Sequence, residues 1–278
     1  MNKTSPINKL PKISEINRFY GIKAKKKYGQ NFIYDFNILN KIVKLTSPLE
    51  NYSIIEIGAG PGGLSRAILD QSPLKLIVIE KDPIFIKPLR EIEKLYKDKV
   101  EIIENDALEI NIGTLCKNPT KIIANLPYNI STKLLEKWLP PHKNIDEFIL
   151  TFQKEVAERI ISNPRSKNYS RLSVLSQWSC DASIMMYISP ESFTPKPKVD
   201  SAVVKLKPKR AIYSNTNPLM LKKITKAAFS KRRKIIKNSL SIFDNIERIC
   251  QIAGIPINSR AEEVSVEKYC QLSALIKD

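Results

Sequence analysis

Four consecutive residues, Asn125-Leu126-Pro127-Tyr128, carry the clearest chemistry in the chain. They follow Ile122-Ile123-Ala124, an apolar run that reads as a strand, so they stand where that strand ends. The side-chain oxygen of Asn125 and the backbone carbonyl of Leu126 are two acceptors on adjacent residues. Together they can take both hydrogens of an exocyclic amine and draw its lone pair out of conjugation, which turns a poor nucleophile into a usable one. Pro127 brings no N–H to the turn and fixes its φ. Tyr128 offers a face on which a base that has left its stack can rest. A plain turn beside the core would account for Pro127 and Tyr128, but not for the Asn.

A second constellation lies upstream, where Ile54-Ile55-Glu56-Ile57 runs into Gly58-Ala59-Gly60-Pro61-Gly62-Gly63. Gly58, Gly60 and Gly63 satisfy the G-x-G-x-x-G spacing of a strand–loop–helix that approaches a nucleotide closely, and Glu80 ends the next apolar run about twenty residues on, where a ribose-binding acid belongs. The loop alone suits either a dinucleotide or S-adenosylmethionine. Glu56 favours the latter, because an acid two residues before Gly58 can hold the loop around a compact amino-acid cofactor. Asp106 follows the third apolar run, where its carboxylate can accept from an adenine amino group or cap the segment after it.

The elements that must position these groups alternate. Residues 53–57, 74–79, 100–103, 122–124 and 148–152 read as strands, and 35–46, 62–69, 84–96 and 132–139 as helices. That is the pattern of βαβ units around a buried parallel sheet. Helices are expected at 154–161 and 171–178, then strands at 182–188 and 201–206 joined through Pro190, Pro195 and Pro197, which suits an antiparallel pair at a sheet edge. Beyond Lys209 the pattern is helical only, over roughly 217–229, 232–240, 244–253 and 265–276. The expected layout is a flexible lead-in over 1–20, an α/β domain over 21–208 and a small all-helical domain over 209–278.

Charge points to a polyanionic partner. The 278 residues hold 46 Lys+Arg against 28 Asp+Glu, a net +18. Residues 1–34 hold eight Lys/Arg and one acid, and residues 201–243 hold twelve and none, so the excess sits in two blocks flanking a near-neutral centre. A hydrophobic fraction of 42% excludes a wholly disordered chain, and eight Gly among 278 residues exclude a collagen-like one. The four cysteines are too far apart in sequence for a CxxC pair, and the one histidine, His142, is close to none of them, so no metal site is expected. No segment has the length and apolarity of a membrane span, and a cytoplasmic setting and a monomer are the defaults.

Asn-Leu-Pro-Tyr after a Glu-x-Gly-x-Gly loop resembles the N6-adenine methyltransferases of ribosomal RNA. More closely, the chain is similar to the small-subunit (16S) rRNA adenine N6,N6-dimethyltransferase family, that of the bacterial kasugamycin-sensitivity enzyme. Further landmarks are Lys25-Lys26-Lys27-Tyr28-Gly29-Gln30-Asn31-Phe32, the stretch from Phe152 to Arg159, the stretch from Phe193 to Ala202, and Phe229-Ser230-Lys231-Arg232-Arg233-Lys234. The resemblance implies a Rossmann-like S-adenosylmethionine-dependent methyltransferase sheet with an antiparallel edge strand. It implies that Asn31 and Ile33 close over the cofactor, that Gly58 and Gly60 turn around its amino-acid end, that Glu80 holds its ribose and that Asp106 meets its adenine. Asn125 would lie between cofactor and target, and Phe193 would pack a flipped adenine opposite Tyr128. Lys25, Lys26, Lys27, Lys231, Arg232, Arg233, Lys234 and Lys237 would contact RNA phosphates. The implied reaction dimethylates two adjacent adenosines in a hairpin loop near the 3′ end of 16S rRNA, on the small ribosomal particle during its biogenesis. The alternatives are a large-subunit methyltransferase of the macrolide-resistance type and a non-catalytic assembly factor on the same fold. A nicotinamide oxidoreductase comes last, because nothing in the chain supplies its substrate chemistry.

Overall fold

Apolar runs with no polar alternation form strands buried on both faces, and such runs make the middle of a five-stranded parallel sheet whose edge strand, Val100–Glu104, is partly exposed. In this computed structural model residues 6–22, 29–209, 216–231 and 234–276 are described. The chain divides into two units, residues 1–154 with 183–207 and residues 155–182 with 208–278.

The first unit opens with α1 (Ile13–Phe19), β1 (Phe32–Ile33) and α2 (Phe36–Lys44). It continues through β2 (Ser53–Ile57), α3 (Gly63–Leu69), β3 (Lys75–Glu80), α4 (Pro83–Tyr96), β4 (Val100–Glu104), β5 (Thr120–Asn125), α5 (Ser131–Trp138) and β6 (Ile145–Gln153). Asp35 and Asp82 start α2 and α4 by accepting the orphan N–H groups of Asn37 and Ile84, and Pro83 pre-sets the first turn of α4. Strand order is β4-β3-β2-β5-β6, followed by two strands from later in the chain, β9 (Ser201–Pro208) and β7 (Cys180–Ile188). The first five run parallel, β9 runs antiparallel to β6, and β7 closes that edge beyond β9. Because β3 and β4 lie on one side of β2 and β5 on the other, the order in which strands are added reverses between β2 and β5. A crevice forms at the carboxyl ends of the strands there.

Two expectations change. Part of the segment read as a flexible lead-in is the helix α1, whose Ile13 and Ile16 are buried in the core. The Arg66 guanidinium donates to the Pro11 carbonyl at 2.6 Å and ties down the chain just before it. Two apolar residues three apart are too short a pattern to separate from a polar lead-in. The link between β7 and β9 also holds an unforeseen strand, β8 (Phe193–Thr194), which pairs antiparallel with β1.

The second unit is helical, with α6 (Lys154–Ile161) entering it, then α7 (Arg171–Ser179), α8 (Pro218–Ser230), α9 (Ile236–Ser239), α10 (Ile246–Ile252) and α11 (Val266–Leu275). Residues 155–182 therefore group with the C-terminal helices rather than with the sheet that precedes them in sequence. The reason is packing, for α7 lies against α8 and α11. Phe229 sits between Tyr169 and Tyr269 with ring centroids 6.1 and 5.9 Å away, and the two tyrosine hydroxyls donate to the carbonyls of Val264 and Ala261. Of the helix expected over 232–240, four residues are helical, and Arg232 and Arg233 lie outside the described residues.

Candidate active site

The crevice is lined by the ends of β2, β3 and β5 and by residues following β4. Gly58 and Gly60 take left-handed φ of 69° and 54°, open to glycine at no steric cost. That geometry lets the Gly58 N–H donate to the Ile79 carbonyl at 2.8 Å and the Gly60 N–H to Glu80 Oε2 at 2.9 Å. Glu80 Oε1 accepts from the N–H groups of Lys81 and Asp82 at 2.9 and 2.8 Å. Burial pushes the Glu80 carboxyl above the ordinary range, and these three N–H groups pull against that shift. A Cβ on Gly58 would stand 3.4 Å from Pro127, so the glycine loop and the Asn-Leu-Pro-Tyr segment face each other closely.

Asp106 lines the crevice and also accepts the Leu108 N–H at 2.9 Å, so the site role and the capping role coexist. Burial raises its pKa, but the Leu108 N–H and the Lys81 ammonium at 2.9 Å outweigh that and leave it below the usual carboxylate value. Phe85, Ile79 and Ala107 supply apolar lining.

Asn125, Leu126 and Pro127 line the opposite side. Asn125 Nδ2 donates to the Asn31 carbonyl at 2.8 Å, and Asn31 Nδ2 donates back to the Gly29 carbonyl at 3.1 Å. Tyr128 is half-buried beside the crevice, its hydroxyl hydrogen-bonded to Ser201 Oγ on β9. Burial raises its pKa and the Ser201 bond lowers it, with a net rise that keeps the phenol neutral.

Five expected site residues, Ile33, Glu56, Gly60, Tyr128 and Phe193, are not among the residues that line the crevice. Glu56 is 1% exposed, and its Oε2 accepts from Ser65 Oγ of α3 at 2.6 Å. Its other carboxylate oxygen, Oε1, is buried and meets no hydrogen-bond partner among the described residues. Ile33 and Phe193 are ladder partners in the β1–β8 pair, 4% and 3% exposed within the core, and neither lines the crevice. Both side chains pack into the core formed around the first unit's sheet.

The structure adds Gln30, Asp82 and Asn129 to the lining. Asp82-Pro83 was readable as a helix start, yet nothing in the sequence shows that Gln30 Nε2 would reach Asp82 Oδ2, at 3.0 Å and fifty-two residues away. Of the basic residues, Lys25, Lys26, Lys27, Arg232 and Arg233 lie outside the described residues. Lys231 and Lys234 are exposed on the second unit, and Lys237 is ion-paired with Glu247 at 2.6 Å.

Known proteins resemble this chain over nearly its whole length. The "Ribosomal RNA small subunit methyltransferase A" of Cereibacter sphaeroides is 40% identical over 272 residues, covering 96% of this chain and 97% of that one. Its namesake in Rhodospirillum rubrum is 38% identical, covering 98% and 94%. The crystal structure of a dimethyladenosine transferase from Plasmodium falciparum matches with a TM-score of 0.73 at 26% identity, over 87% of this chain and 95% of that one. With the family profile "Ribosomal RNA adenine dimethylase" matching residues 21–278, the chain belongs to the ribosomal RNA adenine dimethylase family.

Proposed function

We propose that this protein dimethylates N6 of adenosine in small-subunit ribosomal RNA with S-adenosylmethionine as methyl donor. The target is two adjacent adenosines in a hairpin loop near the 3′ end of 16S rRNA, within the small particle during its assembly in the cytoplasm, and the protein works as a monomer. The observation that carries this reading is the Asn125 amide, held at the crevice by the Asn31 carbonyl with its oxygen left to accept.

The residues present fit the donor. Glu80, organised by three N–H groups, has acceptor capacity left for ribose hydroxyls, and Asp106 beside the apolar Phe85 and Ala107 suits an adenine. When bound, S-adenosylmethionine supplies an activated methyl group on a sulfonium. Gly58, bare of a side chain, lines the crevice where the amino-acid end of the donor would lie, while Gly60 lets the Phe32 ring pack against the loop.

Asn125 Oδ1 and the Leu126 carbonyl accept the two amine hydrogens and stabilise the positive charge that grows on nitrogen, so catalysis rests on positioning and fixed dipoles. Tyr128 stays neutral and gives the base a face to lie on. Lys231, Arg232, Arg233, Lys234 and Lys237, with Lys25, Lys26 and Lys27, neutralise phosphates and position the RNA without reading its sequence.

The test is incubation with methyl-labelled S-adenosylmethionine and either undermethylated small subunits or large-subunit RNA, followed by nucleoside analysis. N6,N6-dimethyladenosine in the small subunit alone is expected. Label only in large-subunit RNA, or tight particle binding without label, would overturn the proposal.

A further inference from the structure

Asn125 is useful only in one of its two amide orientations. With its oxygen toward the target amine it accepts a hydrogen, whereas flipped it would set its own NH2 against that amine, donor against donor. The acceptor facing it settles the choice, because a backbone carbonyl at 2.8 Å can be met only by the NH2 end. That carbonyl belongs to Asn31, in the arm 29–33, so whatever seats the arm also sets the orientation of Asn125.

The arm is held at three places. Its far end is the two-residue β1, paired with β8. Its near end turns at Gly29, where φ is 64° and the carbonyl accepts from Asn31 Nδ2. Between them Gln30, 9% exposed, donates to Asp82, 1% exposed. Asp82 is itself fixed, for its other oxygen accepts the Ile84 N–H of α4 and its own N–H donates to Glu80 Oε1. A chain of hydrogen bonds thus runs from Glu80 through Asp82 to Gln30, one residue before the carbonyl that Asn125 meets.

We propose that Gln30 and Asp82 are a positioning pair, which seats the arm so that the Asn31 carbonyl holds the Asn125 amide with its oxygen toward the methyl-accepting amine. The proposal rests on the reading of the crevice given above. Neither residue takes part in the chemistry itself; both act through Asn125.

Exchanging the roles of the pair tests this. Gln30→Glu puts a carboxylate against the Asp82 carboxylate and breaks the bond. Adding Asp82→Asn restores one hydrogen bond with donor and acceptor reversed, and it keeps an oxygen for the α4 cap. The expected result is that Gln30→Glu lowers kcat on undermethylated small subunits, measured at saturating S-adenosylmethionine, at least tenfold. The double variant returns to within threefold of wild type. In parallel, 15N-asparagine labelling follows the Asn125 side-chain NH2, assigned with Asn125→Ala. Its exchange with solvent should be slow in wild type, fast in Gln30→Glu and slow again in the double variant. An unchanged kcat in Gln30→Glu at saturating cofactor, or an Asn125 signal indifferent to all three forms, would overturn the positioning role. A wild type that forms no dimethyladenosine would instead overturn the functional reading, and the exchange data would still decide the role of the pair.

Discussion

The backbone N–H of Gly60 donates to Glu80 Oε2 at 2.9 Å, so the glycine loop after β2 and the acid that ends β3 are one unit. A side chain at residue 60 would meet the Phe32 ring, and φ is 54°. Gly60→Ala should therefore cost about 1–3 kcal/mol of stability and weaken cofactor binding with it. Denaturant unfolding and a cofactor titration check both, and a variant as stable as wild type would refute the strain.

Removing the acceptor itself should leave the fold intact. Asn125→Ala is expected to lower kcat by ~10²–10³, as for loss of one preorganised charge-stabilising group, while S-adenosylmethionine still binds. Single-turnover kinetics with a parallel binding measurement separate the two effects. Full rate in this variant would sink the mechanism.

Tyr128 separates a ring from its hydroxyl. Tyr128→Ala should lose the stacking of a base, about 1–3 kcal/mol, and so roughly five- to 150-fold in kcat/KM on RNA. Tyr128→Phe gives up only the bond to Ser201, which at about 1 kcal/mol limits the loss to about fivefold. Equal losses in the two variants would assign the role to the hydroxyl.

Burial, opposed by the Ser65 bond, pushes the Glu56 carboxyl from 4.5 up to about 8. The folded state keeps a proton in that window that the unfolded chain releases, so this site lowers stability as pH rises from about 5 to 8 and no further above it. Glu56→Gln cannot titrate and keeps an oxygen for Ser65. It should flatten the pH dependence by up to about 1.4 kcal/mol per pH unit, as read from urea midpoints at several pH values.

Phosphate contacts should appear in salt dependence. Lys231→Gln with Lys234→Gln is expected to reduce the slope of log K against log salt for particle binding by about 1.5, at about 0.7–0.9 per phosphate contact. Lys237→Gln should change it less, because Glu247 already partners that ammonium at 2.6 Å. A filter-binding salt series on the three proteins measures this.

Much of the fold is local information. The core strands β2, β3 and β5 read as apolar runs because both of their faces are covered, and the glycine loop and Asn125-Leu126-Pro127-Tyr128 announce themselves by residue type at strand ends. The charge blocks are visible for the same reason, since composition needs no partner. What the sequence alone determined is therefore the α/β order, the family and the residues that border the crevice from β2, β3 and β5.

Tertiary structure decided the rest. Where the strand order reverses, and hence where the crevice opens, follows from which strands pair. The β1–β8 pair joins segments some 160 residues apart through two residues each, too few to show a period, and it turns Phe193 into the core. Glu56 turns to Ser65, and Gln30 finds Asp82, only once the chain has folded. Hydropathy records how much surface each residue will bury, but a hydrogen bond between distant side chains depends on which surfaces meet, and no local pattern encodes that.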